Sequence, residues 1–337
     1  MLLRSSFPSP LSKILHKKAL STRLSSQTLL SRPSSTLLLP STSTSQTSRR
    51  SVDSLPLHSG LSVVDVQMHA TYSAITRVLH CYDLILCILL TVSQELLDPA
   101  VIGTTGILKS IKKNAPSVKR VVITSSFASI VNPSKGNWPG HTYTEADWNP
   151  ITHEEALESP PAGYRASKTF AEKASWDFVE KEKPNFTIST INPPLVLGPI
   201  VHYLNSLESL NTSNQRIRDI YQGKAKDEIP ETGTFLWVDV RDLALCHVKA
   251  IEVEAAANKR FFVTAGHFSN KEIAQIIQKE YPETKNLPSD STSGGDYPKD
   301  GVYSYDNSRT KEVLGIQFKS LHESIKDTVK SFQSVGA

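Results

Sequence analysis

Three stretches decide the fold: VKRVVITSS at residues 118–126, YRASKTFAEKASWDFVEKEK at 164–183 and FTISTINPPLVLGP at 186–199. The first and third are short runs rich in β-branched residues, as in buried parallel strands, and the third passes into a proline-rich loop. The second has apolar residues at helical spacing and ends before Pro184. A strand, a helix and a second strand in this order indicate an α/β sheet with helices on its faces.

The same alternation continues on both sides of these stretches. Upstream, residues 94–115 form a helical pattern that ends in a basic turn, as the helix dipole favours. Downstream, helical patterns occur at 203–222, 240–253, 269–281 and 318–333, and strand candidates at 234–238 and 259–265. The pattern therefore favours an α/β sheet with helices on its faces over the whole of this region.

Charge and cysteine content exclude several classes of protein. The net charge of the 337 residues is +4, but Met1 to Val52 contains eight basic residues and no acid. The remainder carries 29 basic against 33 acidic groups, which argues against binding to nucleic acid. Three widely spaced cysteines fit neither a disulfide framework nor a paired-ligand zinc site, and they favour a reducing compartment.

The first 93 residues differ from the rest. Residues 1–60 are rich in Ser and Thr and are predicted to be disordered, either as a mitochondrial transit-like leader or as a segment without a biological role. Residues 61–93 form an atypical segment that contains the apolar run DLILCILLTV at 83–92. Ten apolar residues are too few for a membrane span, which needs about 20. We therefore expect a buried strand or core helix there, and no membrane association.

The spacing of one tyrosine and one lysine predicts chemistry. Tyr164 and Lys168 are four apart on a predicted helix, so they share a face. A nearby ammonium stabilises a phenolate and lowers the phenol pKa from about 10 towards neutrality, where the tyrosine can protonate an alkoxide. Ser126 ends the VVITSS strand, at the edge where ligands bind in open α/β sheets. Its hydroxyl can hold a carbonyl oxygen against the tyrosine.

Other motifs are weaker. Tyr281 and Lys285 have the same spacing, but Pro282 places them at a helix end, and we expect them at the surface. Gly103 and Gly106 lie within a helical pattern, so we interpret them as helix-packing positions and not as a dinucleotide fingerprint. The histidines have no partners at metal-ligand spacing, so no metal site is predicted.

Taken together, the motifs resemble a known family. ELLDPAVIGTTGILKSI, RVVITSSFASI, YTEADWN, GYRASKTFAEKASWDF, INPPLVLGP and LWVDVRDLALCHVKAIE occur in the order and spacing of the extended short-chain dehydrogenases/reductases. The branch is that of dihydroflavonol 4-reductases, aldehyde reductases and NADPH-dependent methylglyoxal reductases. The resemblance covers about residues 94–332. It implies an incomplete NAD(P)-binding Rossmann-like parallel sheet with a small C-terminal substrate lobe, with residues 94–200 and 233–250 in the core and 201–232 and 251–335 in the lobe. It also implies NADP(H)-dependent reduction of a small aldehyde or ketone by hydride transfer, with Tyr164 as proton donor.

The resemblance also implies roles for individual residues. Ser126, Tyr164 and Lys168 match the catalytic triad, and Lys168 also matches the residue that binds the nicotinamide ribose. The cofactor-binding positions are Tyr164, Lys168, Pro193, Val196 and Ser213, and the substrate positions are Ser126, Phe127 and Leu195. Leu195 departs from the aromatic residue of some relatives, so the family's substrate preference is not transferred.

One family feature is missing from the sequence. Family members begin with a strand, a glycine-rich GxxGxxG turn and a helix, whereas Gly60 is the only glycine before Gly103. The alternatives are therefore a catalytically impaired remnant or a truncated member of the family, and further a sugar-nucleotide epimerase or dehydratase. By resemblance we expect a cytoplasmic protein with a small carbonyl substrate, or a mitochondrial one if the leader is genuine. The sequence does not indicate the oligomeric state.

Overall fold

The computed structural model describes residues 92–204 and 206–335. The predicted leader at 1–60 and nearly all of the atypical segment at 61–93 lie outside these residues. A π-helical turn at Val92–Leu97 leads into the first helix. The helices are α1 (Asp98–Asn114), α2 (His153–Ala156), α3 (Pro160–Glu182), α4 (Thr212–Tyr221), α5 (Val240–Glu252), α6 (Asn270–Glu280), α7 (Ser308–Leu314) and α8 (Leu321–Val335). The strands are β1 (Arg120–Thr124), β2 (Thr142–Tyr143), β3 (Thr187–Asn192), β4 (Leu195–Leu197), β5 (Leu236–Asp239), β6 (Lys259–Phe262), β7 (Gly266–His267) and β8 (Ser304–Tyr305).

The central sheet of the described residues is parallel and has the order β1-β3-β6. In β1 and β3, Thr124 lies opposite Ile191, so the two carboxyl ends are level with each other. Parallel strands covered by helices form an α/β fold, as the sequence predicts. The sequence assigned all of residues 251–335 to the lobe, whereas β6 belongs to this sheet. Three of its four residues are buried, which explains why it pairs inside the core.

Helices cover both faces of this sheet. Val121 packs with Leu108 of α1 and Phe178 of α3. Its neighbour Val122 packs on the other face, with Leu243 of α5. Successive residues of a strand point to opposite faces, so the apolar run of β1 supplies two separate cores. This three-layer arrangement explains why the strand sequence has no polar alternation.

A second apolar cluster forms the C-terminal lobe. Helices α4, α6 and α8 pack together against the mixed sheet β4-β5-β7. Ile217, Ile277 and Phe332, one from each helix, are fully buried in this cluster. The amphipathic spacing of the three helices thus accounts for the lobe.

The helix and strand boundaries differ from the prediction in instructive places. The sequence treats the chain as loop up to Gly163, whereas α3 begins at Pro160, with Ser159 as its N-cap. Proline is well suited to the first turn of a helix, where no intrahelical N–H bond is lost. The helix predicted at 203–222 is longer than the one in the structure, where α4 spans only Thr212–Tyr221.

The segment at 186–199 is predicted as a strand that passes into a proline-rich loop. In the structure it contains two strands, because Pro193 and Pro194 separate β3 from β4 and the chain after them forms β4. At the end of β4, Gly198 has φ +126°. A Cβ atom there would come within 2.9 Å of Cγ1 of Val240, the first residue of α5. The glycine therefore permits β4 to pass directly beside the start of this helix. None of the described helices has the length and apolarity that a membrane span requires.

Candidate active site

The carboxyl end of β1 carries Ser126. The chain is held there by two backbone bonds to β3 and the residue that follows it: Ser125 N–H donates to Ile191 O, and Phe127 N–H donates to Pro193 O, each at 2.8 Å. Ser126 therefore lies between two fixed residues, directly beside the NPP turn. Because ligands of open α/β sheets bind at the carboxyl ends of the strands, this is the edge where a site is expected.

The hydroxyl of Ser126 is oriented by the turn that follows it. Residues Phe127–Ser129 form a 3₁₀ turn, and Ser126 Oγ accepts a hydrogen bond of 3.1 Å from Ala128 N. This bond uses a lone pair of the oxygen and leaves the hydroxyl hydrogen able to donate to another acceptor. The side chain is half-buried.

Helix α3 carries the other two predicted catalytic residues. Tyr164 and Lys168 lie one turn apart on the same face, and both are half-buried. Partial exposure at a sheet edge is what a side chain needs to reach a bound molecule.

Contacts between α3 and the end of β1 bring these elements together. The helix packs against the 3₁₀ turn after Ser126. Thr169 Oγ1 lies 3.5 Å from Ala128 O, and the Glu172 carboxylate accepts a hydrogen bond of 2.5 Å from Ser125 Oγ. The helix that carries Tyr164 and Lys168 is thus fixed to the strand end that carries Ser126.

The three cofactor positions predicted downstream of α3 lie in the NPP turn, in β4 and in α4. The carbonyl oxygen of Pro193 accepts the hydrogen bond from Phe127 N–H described above. Val196 is the central residue of β4. The side chains of Asn211 and Asn214 donate to Val196 O at 3.4 Å and Gly198 O at 2.9 Å. Ser213 lies between these two asparagines in sequence, in the first turn of α4.

The two predicted substrate residues other than Ser126 occupy different environments. Phe127 is only 4% exposed, and its ring stacks on Phe262 with centroids 5.2 Å apart. It also packs edge-on against Tyr143 at 5.3 Å. Its ring is therefore enclosed by other aromatic rings in the described structure. Leu195 is half-buried and packs against the apolar cluster of the lobe.

Three buried polar residues of the site were not predicted from the sequence: Glu172, Asn192 and Arg260. Asn192 Nδ2 donates to Glu172 Oε2 at 2.7 Å, and Arg260 Nε donates to Glu172 Oε1 at 2.7 Å. The spacing of Glu172, four residues after Lys168 and eight after Tyr164, was a signal that it shares their helix face. No sequence pattern connects this residue to Arg260, 88 positions away.

The other residues considered from the sequence make the following contacts. Tyr281 follows the end of α6, where its hydroxyl donates to Lys326 O at 2.7 Å, and Lys285 is exposed. His247 contacts Thr124 Oγ1 at 2.8 Å, and no group of side chains in residues 92–335 that the structure describes could hold a metal ion. Burial, reinforced by the Asp242 carboxylate, raises the pKa of the Cys246 thiol to about 12, so this thiol is unreactive.

Gly103 and Gly106 lie inside helix α1, as predicted. The packing role predicted for Gly106 is wrong, because a Cβ atom there would meet no atom within 4 Å.

Comparison with known proteins gives a consistent result. Residues 29–264 match the NAD dependent epimerase/dehydratase family. Over 240 residues the chain is 48% identical to the ketoreductase azaE of Aspergillus niger, an alignment that covers 70% of this chain and 69% of that protein. It is 36% identical over 240 residues to the NADPH-dependent methylglyoxal reductase GRE2 of Saccharomyces cerevisiae, with 70% of each chain covered.

The fold also matches a solved structure of this kind. The crystal structure of Gre2 from Candida albicans in complex with NADPH superposes with a TM-score of 0.68 and 37% sequence identity. The match covers 73% of each chain. Relatives of this chain are therefore NADPH-dependent reductases.

Proposed function

Because the chain belongs to the NAD dependent epimerase/dehydratase family, we propose that it reduces small aldehydes or ketones with NADPH. The observation that carries this proposal is the attachment of helix α3, with Tyr164 and Lys168 on one face, to the strand end that holds Ser126. The relatives named as a ketoreductase and a methylglyoxal reductase support the same reaction.

Each of the three side chains has a distinct task in this reaction. The Ser126 hydroxyl donates a hydrogen bond to the carbonyl oxygen and holds it in place. Hydride transfer to the carbonyl carbon leaves an alkoxide, which the Tyr164 phenol protonates. The Lys168 ammonium stabilises the phenolate that remains. The Ser126 hydroxyl and the Tyr164 phenol thus both act on the oxygen atom where negative charge develops.

The donor set at the strand ends suits the nicotinamide end of the cofactor. NADPH, when bound, supplies the hydride. Lys168 and Tyr164 would bind the nicotinamide ribose through an ammonium and a hydroxyl, and Pro193 and Val196 would pack around the ring. The Ser213 hydroxyl, in the first turn of α4, would offer one more polar contact to the cofactor. We assign no residues to the pyrophosphate end.

We further propose that the carbonyl substrate binds between the sheet and the C-terminal lobe. Leu195 supports this proposal, because it follows the NPP turn directly and packs against the lobe. A cytoplasmic location is proposed from the family resemblance alone.

The proposed function is tested by titrating the chain with NADPH and following the nicotinamide fluorescence, then adding methylglyoxal and following NADPH oxidation. We expect saturable binding and aldehyde-dependent oxidation. Lys168→Ala should weaken NADPH binding at least about tenfold, as loss of one hydrogen bond to a charged group implies.

Lys285→Ala provides the matched control, because this exposed lysine has the same spacing to a tyrosine. It should bind NADPH like the wild type. Absence of both binding and oxidation in the wild-type chain would favour a catalytically impaired remnant of the family.

A further inference from the structure

Glu172 is a carboxylate in the interior of the protein. It lies on α3, one helical turn beyond Lys168 and two beyond Tyr164, and is 2% exposed. Burying a charge is costly unless it is paired and hydrogen-bonded, so the partners of such a group indicate its role.

One carboxylate oxygen joins the ends of two strands. Glu172 Oε2 accepts hydrogen bonds of 2.5 Å from Ser125 Oγ, 2.5 Å from Ser129 Oγ and 2.7 Å from Asn192 Nδ2. Ser125 precedes Ser126 and Ser129 ends the turn after it, while Asn192 is the last residue of β3, directly before the NPP turn. The three donors therefore surround Ser126.

The other oxygen joins the third strand of the sheet. Arg260 Nε donates to Glu172 Oε1 at 2.7 Å, and Thr190 Oγ1 donates to the same atom at 2.9 Å. The Arg260 guanidinium also lies 3.7 Å from the ring centroid of Trp148, and its Nη1 donates to Asp147 O at 2.7 Å. The charge of Glu172 is thus balanced by a guanidinium that is itself held in place.

The pairing keeps the carboxylate ionised. Burial favours the neutral acid, but the Arg260 charge and hydrogen bonds from Arg260, Ser125 and Ser129 outweigh it, so the pKa of Glu172 lies below its ordinary value. An ionised carboxylate has no hydrogen to donate, so Glu172 is the acceptor in all five of these hydrogen bonds. Only an anionic side chain with two oxygens satisfies this set of donors.

We propose that Glu172 is a positioning residue, which fixes the distance between the Ser126 hydroxyl and the Tyr164–Lys168 face of α3. The inference rests on the proposed function, because it concerns the same carbonyl reduction. A misplacement of about 1 Å in a reacting group can cost about a hundredfold in rate. Buried ion pairs are often no better for stability than apolar residues of the same volume, whereas their directional bonds fix geometry.

Two substitutions and one control separate positioning from general stability. Glu172→Gln keeps the shape of the side chain, but its amide NH2 replaces one carboxylate oxygen and therefore faces groups that themselves donate hydrogen bonds. Glu172→Asp keeps the charge but is one methylene shorter, so its carboxylate is withdrawn from the strand ends. Glu180→Gln is the control, because this exposed residue lies on the same helix and outside the cluster.

The first readout is the rate of NADPH-dependent methylglyoxal reduction, corrected for the folded fraction measured by urea unfolding. We expect kcat to fall at least about thirtyfold in Glu172→Gln and Glu172→Asp, with KM for NADPH within about threefold of wild type, and no change in Glu180→Gln. Unchanged kcat in the folded Glu172 variants would overturn the proposal.

The second readout does not require activity. Amide hydrogen exchange should accelerate at least about tenfold in residues 125–131 of Glu172→Asp relative to helix α8, because residues 125–131 lose their anchor whereas the described residues of helix α8 make no bond to Glu172. Equal acceleration in both regions, or none in residues 125–131, would overturn the proposal. If the wild-type chain does not reduce methylglyoxal, the proposed function fails, and the exchange result still decides whether Glu172 holds the Ser126 segment.

Discussion

The cluster around Glu172 and the interior of the C-terminal lobe are held together by different interactions. In the first, one carboxylate accepts bonds from Ser125, Ser129, Asn192, Thr190 and Arg260. In the second, apolar side chains of α4, α6 and α8 pack around Phe332. Hydrogen bonds are directional, whereas hydrophobic burial depends on area and volume. The molecule thus has directional polar contacts beside the proposed catalytic residues and apolar packing inside the lobe.

The apolar lobe should show the largest effect on stability. Phe332 is fully buried, so Phe332→Ala removes a large apolar side chain and leaves a cavity. We expect the free energy of unfolding to fall by about 3–5 kcal/mol in urea denaturation. Val201→Ala is the control at an apolar residue that is 74% exposed, and its change should stay within about 0.5 kcal/mol. A similar loss in both variants would show that burial in the lobe does not determine stability.

A polar contact that joins the start of α5 to helix α8 of the lobe should show a smaller effect. Asp239 ends β5, is fully buried and accepts from Arg241 Nη2 at 2.9 Å, while Arg241 Nη1 donates to Asp327 of α8 at 2.5 Å. Asp239→Asn keeps a good helix cap but loses the charge, and we expect a cost of about 2 kcal/mol at pH 7.

The cost of Asp239→Asn should depend on pH. Burial of Asp239 raises its pKa, but the hydrogen bonds and the charge of Arg241 outweigh this, so the folded pKa lies below the usual value. Such a group stabilises the fold at pH values above its unfolded pKa of about 3.9, and this contribution is lost as the pH falls through the folded pKa. The difference in the free energy of unfolding between wild type and variant, measured with urea, should therefore become smaller below about pH 4. A constant gap would contradict the ion pair.

The smallest effect is expected at Gly106, in helix α1 on the outside of the sheet. It is exposed, and a Cβ atom there meets nothing within 4 Å. Gly106→Ala should therefore stabilise the protein by about 0.5–1 kcal/mol through helix propensity, measured by urea unfolding. Destabilisation would mean that this glycine makes a close contact after all.

The same contrast explains what the sequence could predict. Apolar periodicity is local, so β1 and helices α5, α6 and α8 were placed within a few residues. The Ser-Pro-Pro sequence at 159–161 has the composition of a loop, so apolar periodicity does not indicate the start of α3, although proline fits the first turn of a helix. Short strands such as β2 and β8 have too few residues to give a pattern.

The side chains of the site also differ in whether a local sequence pattern predicts them. The spacing of Tyr164 and Lys168 is a local feature of one helix, and Ser126 marks the end of a recognisable strand. The bond between Glu172 and Arg260 joins residues 88 positions apart, and it exists only because β6 lies beside β3. Contacts of this kind depend on the pairing of strands, which a single sequence does not reveal.

The most direct test of the account compares two tyrosines that have the same spacing to a lysine. Tyr164→Phe removes the proposed proton donor, whereas Tyr281→Phe removes a hydroxyl that donates to Lys326 O outside the site. In NADPH-dependent reduction of methylglyoxal, Tyr164→Phe should lower kcat at least about a hundredfold, and Tyr281→Phe should leave it within about twofold. Near-normal turnover in Tyr164→Phe would contradict the assignment of this tyrosine as the acid.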